Sequence, residues 1–293
     1  FLGMESATTY VSCWNANEAL VSTLLEKGDV VISDELNHAS IIDACRLCGS
    51  KVQRLVYRHS DMNDLESKLR EASNFRRRLI ITDGVFSMEG DLANLPAIVE
   101  LARRFDALVA VDDSHAHGVV GRTGRGTPEY FHVKVDIVTG TLGKALGGAA
   151  GGFIASCKPI IEWMRQRSRP QLFSNSLPPV VAGGALAALK ILEREPQRVS
   201  YIQENVNYLK KGLTNAGFQV LPSASAIWAC ARSVLKCSSV AVSAERGSTC
   251  TLISSAGYSP FRTVLMLLTL RTMSCWSLKN RSSAASESLA AAR

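Results

Sequence analysis

Two stretches, Leu79-Ile-Ile-Thr-Asp83 and Ala107-Leu-Val-Ala-Val-Asp112, are apolar almost without interruption, and each stops at an aspartate. A strand without polar alternation is covered on both faces, which points to a parallel sheet between two layers of helices. The neighbouring segments continue the alternation. Val30-Val-Ile-Ser33 reads as a strand, Ser40-Ile-Ile-Asp-Ala-Cys-Arg-Leu-Cys48 as a helix stopped by Gly49, and 52–56 as another strand. Asp61-Met-Asn-Asp-Leu-Glu-Ser-Lys-Leu-Arg70 is an amphipathic helix with an acidic first turn, and a helix over 97–105 separates the two Asp-ended strands. Further on come strands at Val135-Asp-Ile-Val-Thr-Gly140 and Gly152-Phe-Ile-Ala-Ser156, a helix over 159–167, a turn over 168–176 and a helical region over 179–216. Gly217-Phe-Gln-Val-Leu221 reads as the first strand of a second domain. The expectation is an α/β domain with its site beyond the carboxyl ends of the strands, where Asp83, Asp112 and Thr141 fall. No G-x-G-x-x-G follows these strands, which counts against a dinucleotide fold.

Charge and cysteine exclude several function classes. From Ala229 onward eight Lys or Arg face two Glu, so of the formal +7 all but +1 lies in the tail, and a basic nucleic-acid groove on the folded part is not expected. The longest apolar run, Val264-Leu-Met-Leu-Leu268, is far too short to span a bilayer. Cys45 and Cys48 form a C-x-x-C on a helix with no second pair or His cluster nearby, so no metal is expected and the thiols read as reduced. That fits a reducing compartment, mitochondrial matrix or cytoplasm alike.

The chemistry converges on Thr141-Leu-Gly-Lys144-Ala-Leu-Gly-Gly148, where a strand delivers a lysine into a glycine-bounded turn. An amine placed there can lose hydration and have its pKa lowered, as a Schiff-base lysine requires; a solvated loop lysine is the alternative reading of this octamer alone. Upstream lie Ser12, at the mouth of a helix whose free amides suit a phosphate, and then His38, Asp112 and His115. Lys144, an aspartate, an imidazole to stack on a ring and a helix mouth are together what a pyridoxal phosphate site needs.

The motifs Ser33-Asp-Glu-Leu-Asn-His-Ala-Ser-Ile-Ile-Asp43, Thr82-Asp-Gly-Val-Phe-Ser-Met-Glu-Gly90, Val111-Asp-Asp-Ser-His115, Thr141-Leu-Gly-Lys-Ala-Leu-Gly-Gly148, Arg165-Gln-Arg-Ser-Arg-Pro170 and Leu172-Phe-Ser-Asn-Ser-Leu-Pro178 carry a resemblance. The sequence resembles the α-oxoamine synthases, fold type I enzymes that use pyridoxal 5'-phosphate to join an amino acid to an acyl-CoA. It resembles most the branch that takes glycine and acetyl-CoA and serves threonine catabolism. The resemblance covers residues 1 to about 227.

The resemblance implies a role for each site residue. Lys144 carries the cofactor and moves the glycine α-proton; Asp112 pairs with the pyridine nitrogen, although by spacing alone Asp113 could be confused with it. His38 stacks on the ring, His115 lies near the ring oxygen or substrate, and Ser87 bonds that oxygen. His117 has no assigned role and reads as structural. Ser12, Cys13, Trp14 and Thr141 hold the phosphate, joined by Phe173 and Ser174 from a second copy in a homodimer with shared sites. Gln171 stands where the family has Tyr, and Asn15 where it commonly has Asp.

On this reading 1–178 is the large cofactor-binding domain, 179–227 holds connecting helices and the start of a small domain, and 228–293 is an aberrant tail. The chain begins without an initiator Met and without the family's N-terminal arm. The small-domain Arg that holds the substrate carboxylate is also not found. The unpatterned tail fits out-of-frame translation after about Ile227. Read from the third base of each codon, Glu245-Arg-Gly-Ser-Thr-Cys-Thr251 and the stretch from Leu268 to Lys279 can encode family-like segments. A divergent C-terminus is the alternative. The functional alternatives are a synthase for a longer acyl-CoA, a cofactor-binding chain without activity, and an aminotransferase.

Overall fold

The computed structural model describes residues 1–215 together with 219, 220, 223, 225, 229–231, 264 and 265. The frame-shift expectation for the tail falls outside these residues, apart from the last few named.

The Asp-ended runs are the centre of the sheet. β1 (Ser6–Tyr10), β2 (Val30–Asp34), β3 (Gln53–Tyr57), β4 (Arg78–Asp83), β5 (Leu108–Asp112), β6 (Ile137–Thr141) and β7 (Gly152–Ser156) form a seven-stranded sheet in the order β1-β7-β6-β5-β4-β2-β3. The strands from β3 to β6 are parallel, and β7 is antiparallel to both β6 and β1. Every residue of β2 and β7 is buried, as expected of strands covered on both faces.

Successive side chains leave a strand on opposite faces, so each strand feeds two cores. Val30, Ile32, Ile80, Val109 and Val111 pack with α3 (Met62–Glu71) and α4 (Leu95–Arg104) through Leu65, Leu69, Leu95 and Ile98. Val31, Leu79, Ile81, Ala110, Ile137 and Ile154 pack on the other face. There they meet α1 (Cys13–Leu24), α2 (Ala39–Leu47) and α6 (Lys158–Arg167) through Leu20, Val21, Ile41, Ile161 and Met164. Each fully buried Ile or Leu in these layers contributes about 1.5–3 kcal/mol of transfer free energy. Truncating Ile80 to Ala, with the cavity it leaves, costs about 2–5 kcal/mol.

Caps set where the helices begin. Ser12 accepts from Asn15 N, Asp61 from Asn63 N and Asp64 N, and Asn94 from Ala97 N. Asn37, buried after β2, stitches the sheet by donating to Ser33 Oγ and Ile81 O and accepting from Asp83 N.

Several elements differ from the sequence reading. β1 and the short α5 (Thr127–Phe131) were not evident in the pattern. The stretch read as a turn after α6 contains the short helix α7 (Arg169–Phe173). The helical region over 179–216 is two helices, α8 (Pro179–Arg194) and α9 (Gln197–Asn215), interrupted near Pro196, which has no amide hydrogen to continue the ladder. β8 (Gln219–Val220) lies where a strand was expected and joins β9 (Ala229–Ala231) and β10 (Val264–Leu265) in a small antiparallel sheet. Among the described residues no helix is long and apolar enough to cross a membrane.

Candidate active site

The parallel register of β4, β5 and β6 aligns Asp83 with Asp112 and Asp112 with Thr139, so their carboxyl ends share one edge of the sheet. Asp112 is buried and well supplied with donors. Asn17 Nδ2 lies 2.6 Å from Oδ2, Ser114 N lies 2.9 Å from Oδ1, and Cys13 Sγ lies 3.5 Å from Oδ2. Burial alone would raise its pKa, but the Ser114 and Asn17 hydrogen bonds and the Lys144 charge outweigh it and hold the carboxyl below the usual value. Asp112 is therefore an ionised carboxylate inside the protein.

Lys144 occupies the turn after β6. Backbone bonds from Leu142 N to Gly151 O, Gly147 N to Lys144 O and Gly148 N to Leu142 O close this turn. Gly147 has φ +70°, which favours glycine, and a Cβ on Gly148 would lie 2.8 Å from Leu142 O, which leaves room for glycine alone there. Lys144 Nζ lies 2.6 Å from His115 Nε2. Burial lowers the lysine pKa, against the opposing charges of Asp112, Cys13 and Asp83. Burial and the Lys144 charge push His115 down to about 4. The imidazole is thus neutral at pH 7, and in the tautomer with the proton on Nδ1 its Nε2 accepts from the lysine.

His38 caps α2: its Nδ1 accepts from Ser40 N at 3.2 Å and lies 2.8 Å from Ser40 Oγ. Its backbone N–H donates to Asp83 Oδ2 at 2.6 Å. Burial and the neighbouring Asp112 charge raise Asp83 well above the carboxylate range. Asn17 ties these parts together, donating to Ser40 Oγ at 3.0 Å as well as to Asp112, and accepting from Thr139 Oγ1 at 2.8 Å.

The two adjacent aspartates separate cleanly. Asp112 faces Asn17, Cys13 and Lys144, whereas Asp113 turns away to accept from Thr127 N and Thr127 Oγ1, each at 2.7 Å. Gly84 and Gly126 close over Asp113, and a Cβ on either would come within 2.0 Å of its oxygens. Its carboxyl is pushed up to about 7, chiefly by burial. His117, also buried, has neither ring nitrogen hydrogen-bonded among the described residues, although its Nε2 lies 3.8 Å from Asp113 Oδ2, and burial lowers it to about 4.

At the mouth of α1, Ser12 Oγ is engaged locally, donating to Asn15 Oδ1 at 2.7 Å, and the Cys13 thiol turns toward Asp112 and Ser114. Trp14 is 41% exposed. Thr141 Oγ1 donates to Gly151 O and accepts from Gly143 N. A Cβ on Gly152 would lie 2.3 Å from Ser12 O and 2.4 Å from Cys13 N, so β7 passes directly against the mouth. Ser87 lies in the hairpin after β4. Phe173, 80% exposed, and Ser174 close α7, and no polar contact joins either to the groups around Asp112.

Asn17 is the residue that the pattern did not single out: on a helix it reads as one amide near a cap, and its role appears only when β5 and β6 lie beside it. Ser40, Ser114 and Thr139 belong to the same network. Away from the site, burial raises Cys45 to about 12 and Cys48 to about 11, so both are thiols rather than thiolates.

The sequence profile of the family "Aminotransferase class I and II" matches residues 1–233. The chain is 50% identical over 231 residues to the 2-amino-3-ketobutyrate coenzyme A ligase of Escherichia coli K12, covering 78% of this chain and 58% of that protein. It is 49% identical over 220 residues to the putative 8-amino-7-oxononanoate synthase of Bacillus licheniformis, covering 75% of this chain and 57% of that protein. Among solved structures it is similar to the serine palmitoyltransferase of Sphingomonas wittichii, with TM-score 0.74, 34% identity, and coverage of 78% of this chain and 58% of that one. The chain thus spans less than two thirds of the length of the relatives it matches.

Proposed function

The chain belongs to the aminotransferase class I and II family and has the large-domain fold of the fold type I pyridoxal-phosphate transferases, and on that premise we propose that it binds pyridoxal 5'-phosphate and condenses glycine with acetyl-CoA. The products are 2-amino-3-oxobutyrate and CoA. The observation that supports the cofactor is Asp112, a buried carboxylate that accepts from Asn17 Nδ2 at 2.6 Å and Ser114 N at 2.9 Å and is held below its usual pKa, and what supports the substrates is the 50% identity to a 2-amino-3-ketobutyrate coenzyme A ligase.

These residues fit the cofactor. An ionised buried carboxylate matches a protonated pyridine nitrogen, and Lys144 offers the primary amine that an aldehyde requires. The mouth of α1, over which Gly152 leaves no room for a side chain, offers a cradle for the phosphate. When bound, the cofactor supplies an electron sink for the carbanion formed beside the amino acid's nitrogen. Ser12, Cys13, Trp14 and Thr141 would hold the phosphate at this mouth, His38 would stack on the ring, and Ser87 would bond its hydroxyl oxygen. Lys144 takes the α-proton of glycine, and His115, unprotonated and 2.6 Å away, orients that amine and can exchange a proton with it. The glycine C–H bond breaks, a C–C bond forms at the thioester carbonyl, the C–S bond breaks and CoA leaves as its thiol.

The partner would be a second copy of the chain. Leu172, Phe173, Val180 and Leu186 expose an apolar face along α7 and α8, with Val180 86% exposed. From that face Phe173 and Ser174 would reach the other copy's phosphate end. The similarity to an 8-amino-7-oxononanoate synthase favours a second reading, in which the acyl-CoA is longer.

The test is to add pyridoxal 5'-phosphate to the protein and to Lys144→Ala, then to follow glycine-dependent CoA release from acetyl-CoA and from longer acyl-CoAs. A visible absorbance band lost in the variant is expected, with acetyl-CoA preferred. A band that survives in Lys144→Ala would sink the site assignment. Preference for a long chain moves the protein to the second reading, and a band without CoA release leaves a cofactor-binding chain without activity.

A further inference from the structure

His59 lies outside the groups just described, on the loop between β3 and α3, yet it joins two segments of the site. Its Nδ1 lies 3.0 Å from Asp34 Oδ1 and its Nε2 lies 2.9 Å from Asp91 Oδ2. Asp34 ends β2 and opens the turn to His38. Its carboxylate also accepts from Leu36 N at 2.9 Å and Ser60 N at 3.1 Å. Asp91 closes the hairpin that carries Ser87, in which Phe86 N donates to Asp91 O and Gly90 N to Phe86 O. The His59 ring also stands edge-on to Phe86, with centroids 4.5 Å apart. Asp91 Oδ1 is buried without a hydrogen-bond partner among the described residues, so that carboxylate leans on His59. On the far side of the hairpin, Ser225 Oγ donates to Gly90 O at 2.7 Å.

We propose that His59 is a positioning residue: as a bridge between Asp34 and Asp91 it fixes the turn carrying His38 against the hairpin carrying Ser87. This rests on the reading that His38 and Ser87 face a bound cofactor. Only the imidazolium has two N–H donors, so a neutral ring must release one carboxylate. Other charged or titratable groups around the ring are Glu35, which accepts from His59 N at 2.8 Å, and the adjoining Tyr57 and Arg58. Arg58 turns to Asp61 and Asp64. Burial pulls the His59 pKa down, but the bonds to Asp34 and Asp91 outweigh it, so the folded value is raised. The bridge is then complete below the ordinary histidine pKa and is lost as pH rises through the raised folded value.

Two measurements on the full chain test this. Hydrogen exchange at Phe86 and Gly90, corrected for the intrinsic base-catalysed rate and measured without cofactor, reads the hairpin itself. His59→Gln and Asp91→Asn should both speed it at about pH 6, and the wild type should approach them at about pH 9. Absorbance titration with pyridoxal 5'-phosphate should show both variants binding about tenfold more weakly at the lower pH, as expected for one lost charge-assisted hydrogen bond. That gap should close as pH rises. Unchanged exchange overturns the bridge whether or not the cofactor binds. A gap that stays constant with pH, or no gap, overturns the positioning role. If the wild type takes up no cofactor, the functional reading and the positioning role fall together, while exchange still decides the bridge.

Discussion

The side-chain amide of Asn17 meets the carboxylate of Asp112 at 2.6 Å, with both residues buried. Its other bonds, to Ser40 and Thr139, fix the amide so that it presents a donor to Asp112. Asn17→Ala removes one of the bonds that keep Asp112 ionised, so the Asp112 pKa rises and cofactor affinity falls by about tenfold. Asn17→Asp sets a second negative charge beside the first and costs more. Titration with pyridoxal 5'-phosphate reads both, and a wild-type affinity in Asn17→Ala would refute the role.

Asp113 predicts the opposite phenotype. Thr127→Val strips its hydroxyl donor from a buried carboxyl and should cost about 1–3 kcal/mol of stability. Gly84→Ala places a Cβ 1.9 Å from Asp113 Oδ1 and should also destabilise the fold. Both should retain wild-type cofactor affinity well below their melting temperature, whereas Asp112→Asn should lose the cofactor and keep the fold. Denaturation curves paired with cofactor titrations separate the two aspartates.

His117 sets part of the acid limb of stability. Its folded pKa of about 4 lies below that of an unfolded histidine, so it releases a proton on folding. Its share of stability is present above the unfolded value and lost as pH falls from about 6.5 toward the folded value. Asp113 runs the other way, gaining stability as pH falls through about 7. His117→Leu removes a buried titrating ring whose nitrogens make no hydrogen bond among the described residues, so its melting temperature should fall less than the wild type's between about pH 7 and pH 5. Parallel curves would refute this.

The exposed apolar face predicts where a second copy docks. Val180→Lys with Leu186→Lys replaces side chains 86% and 53% exposed, so it should leave monomer stability within about 0.5 kcal/mol. Sedimentation should show a dimer in the wild type and a monomer in the double variant. An unchanged mass would place the interface elsewhere.

What was legible in the sequence follows from what each residue depends on. β2, β4, β5 and β7 were plain because burial on both faces leaves an unbroken apolar run. Asp112 and His115 stood out because they end or follow β5, and Lys144 because it follows β6. β1 did not, because Ser-Ala-Thr-Thr-Tyr is an edge strand with mixed burial. The division of labour between Asp112 and Asp113 could not be read from adjacency, since it is set by Asn17 on one side and Thr127 on the other. Asn17 itself looked like any polar residue near a cap. Local pattern shows where a backbone goes, whereas a network of buried polar groups is visible only after distant segments meet.

The pairing of Ser6 with Ser156 also has a kinetic consequence. Among the described residues β1 enters the sheet only through β7, the last strand of that sheet to leave the ribosome. While the chain is being made, the parallel centre from β2 to β6 has its partners at hand, but β1 does not. Such a long-range closure is slow and comes late. The mouth of α1, joined directly to β1 and packed against Gly152 of β7, is therefore completed only at the final closure of the sheet.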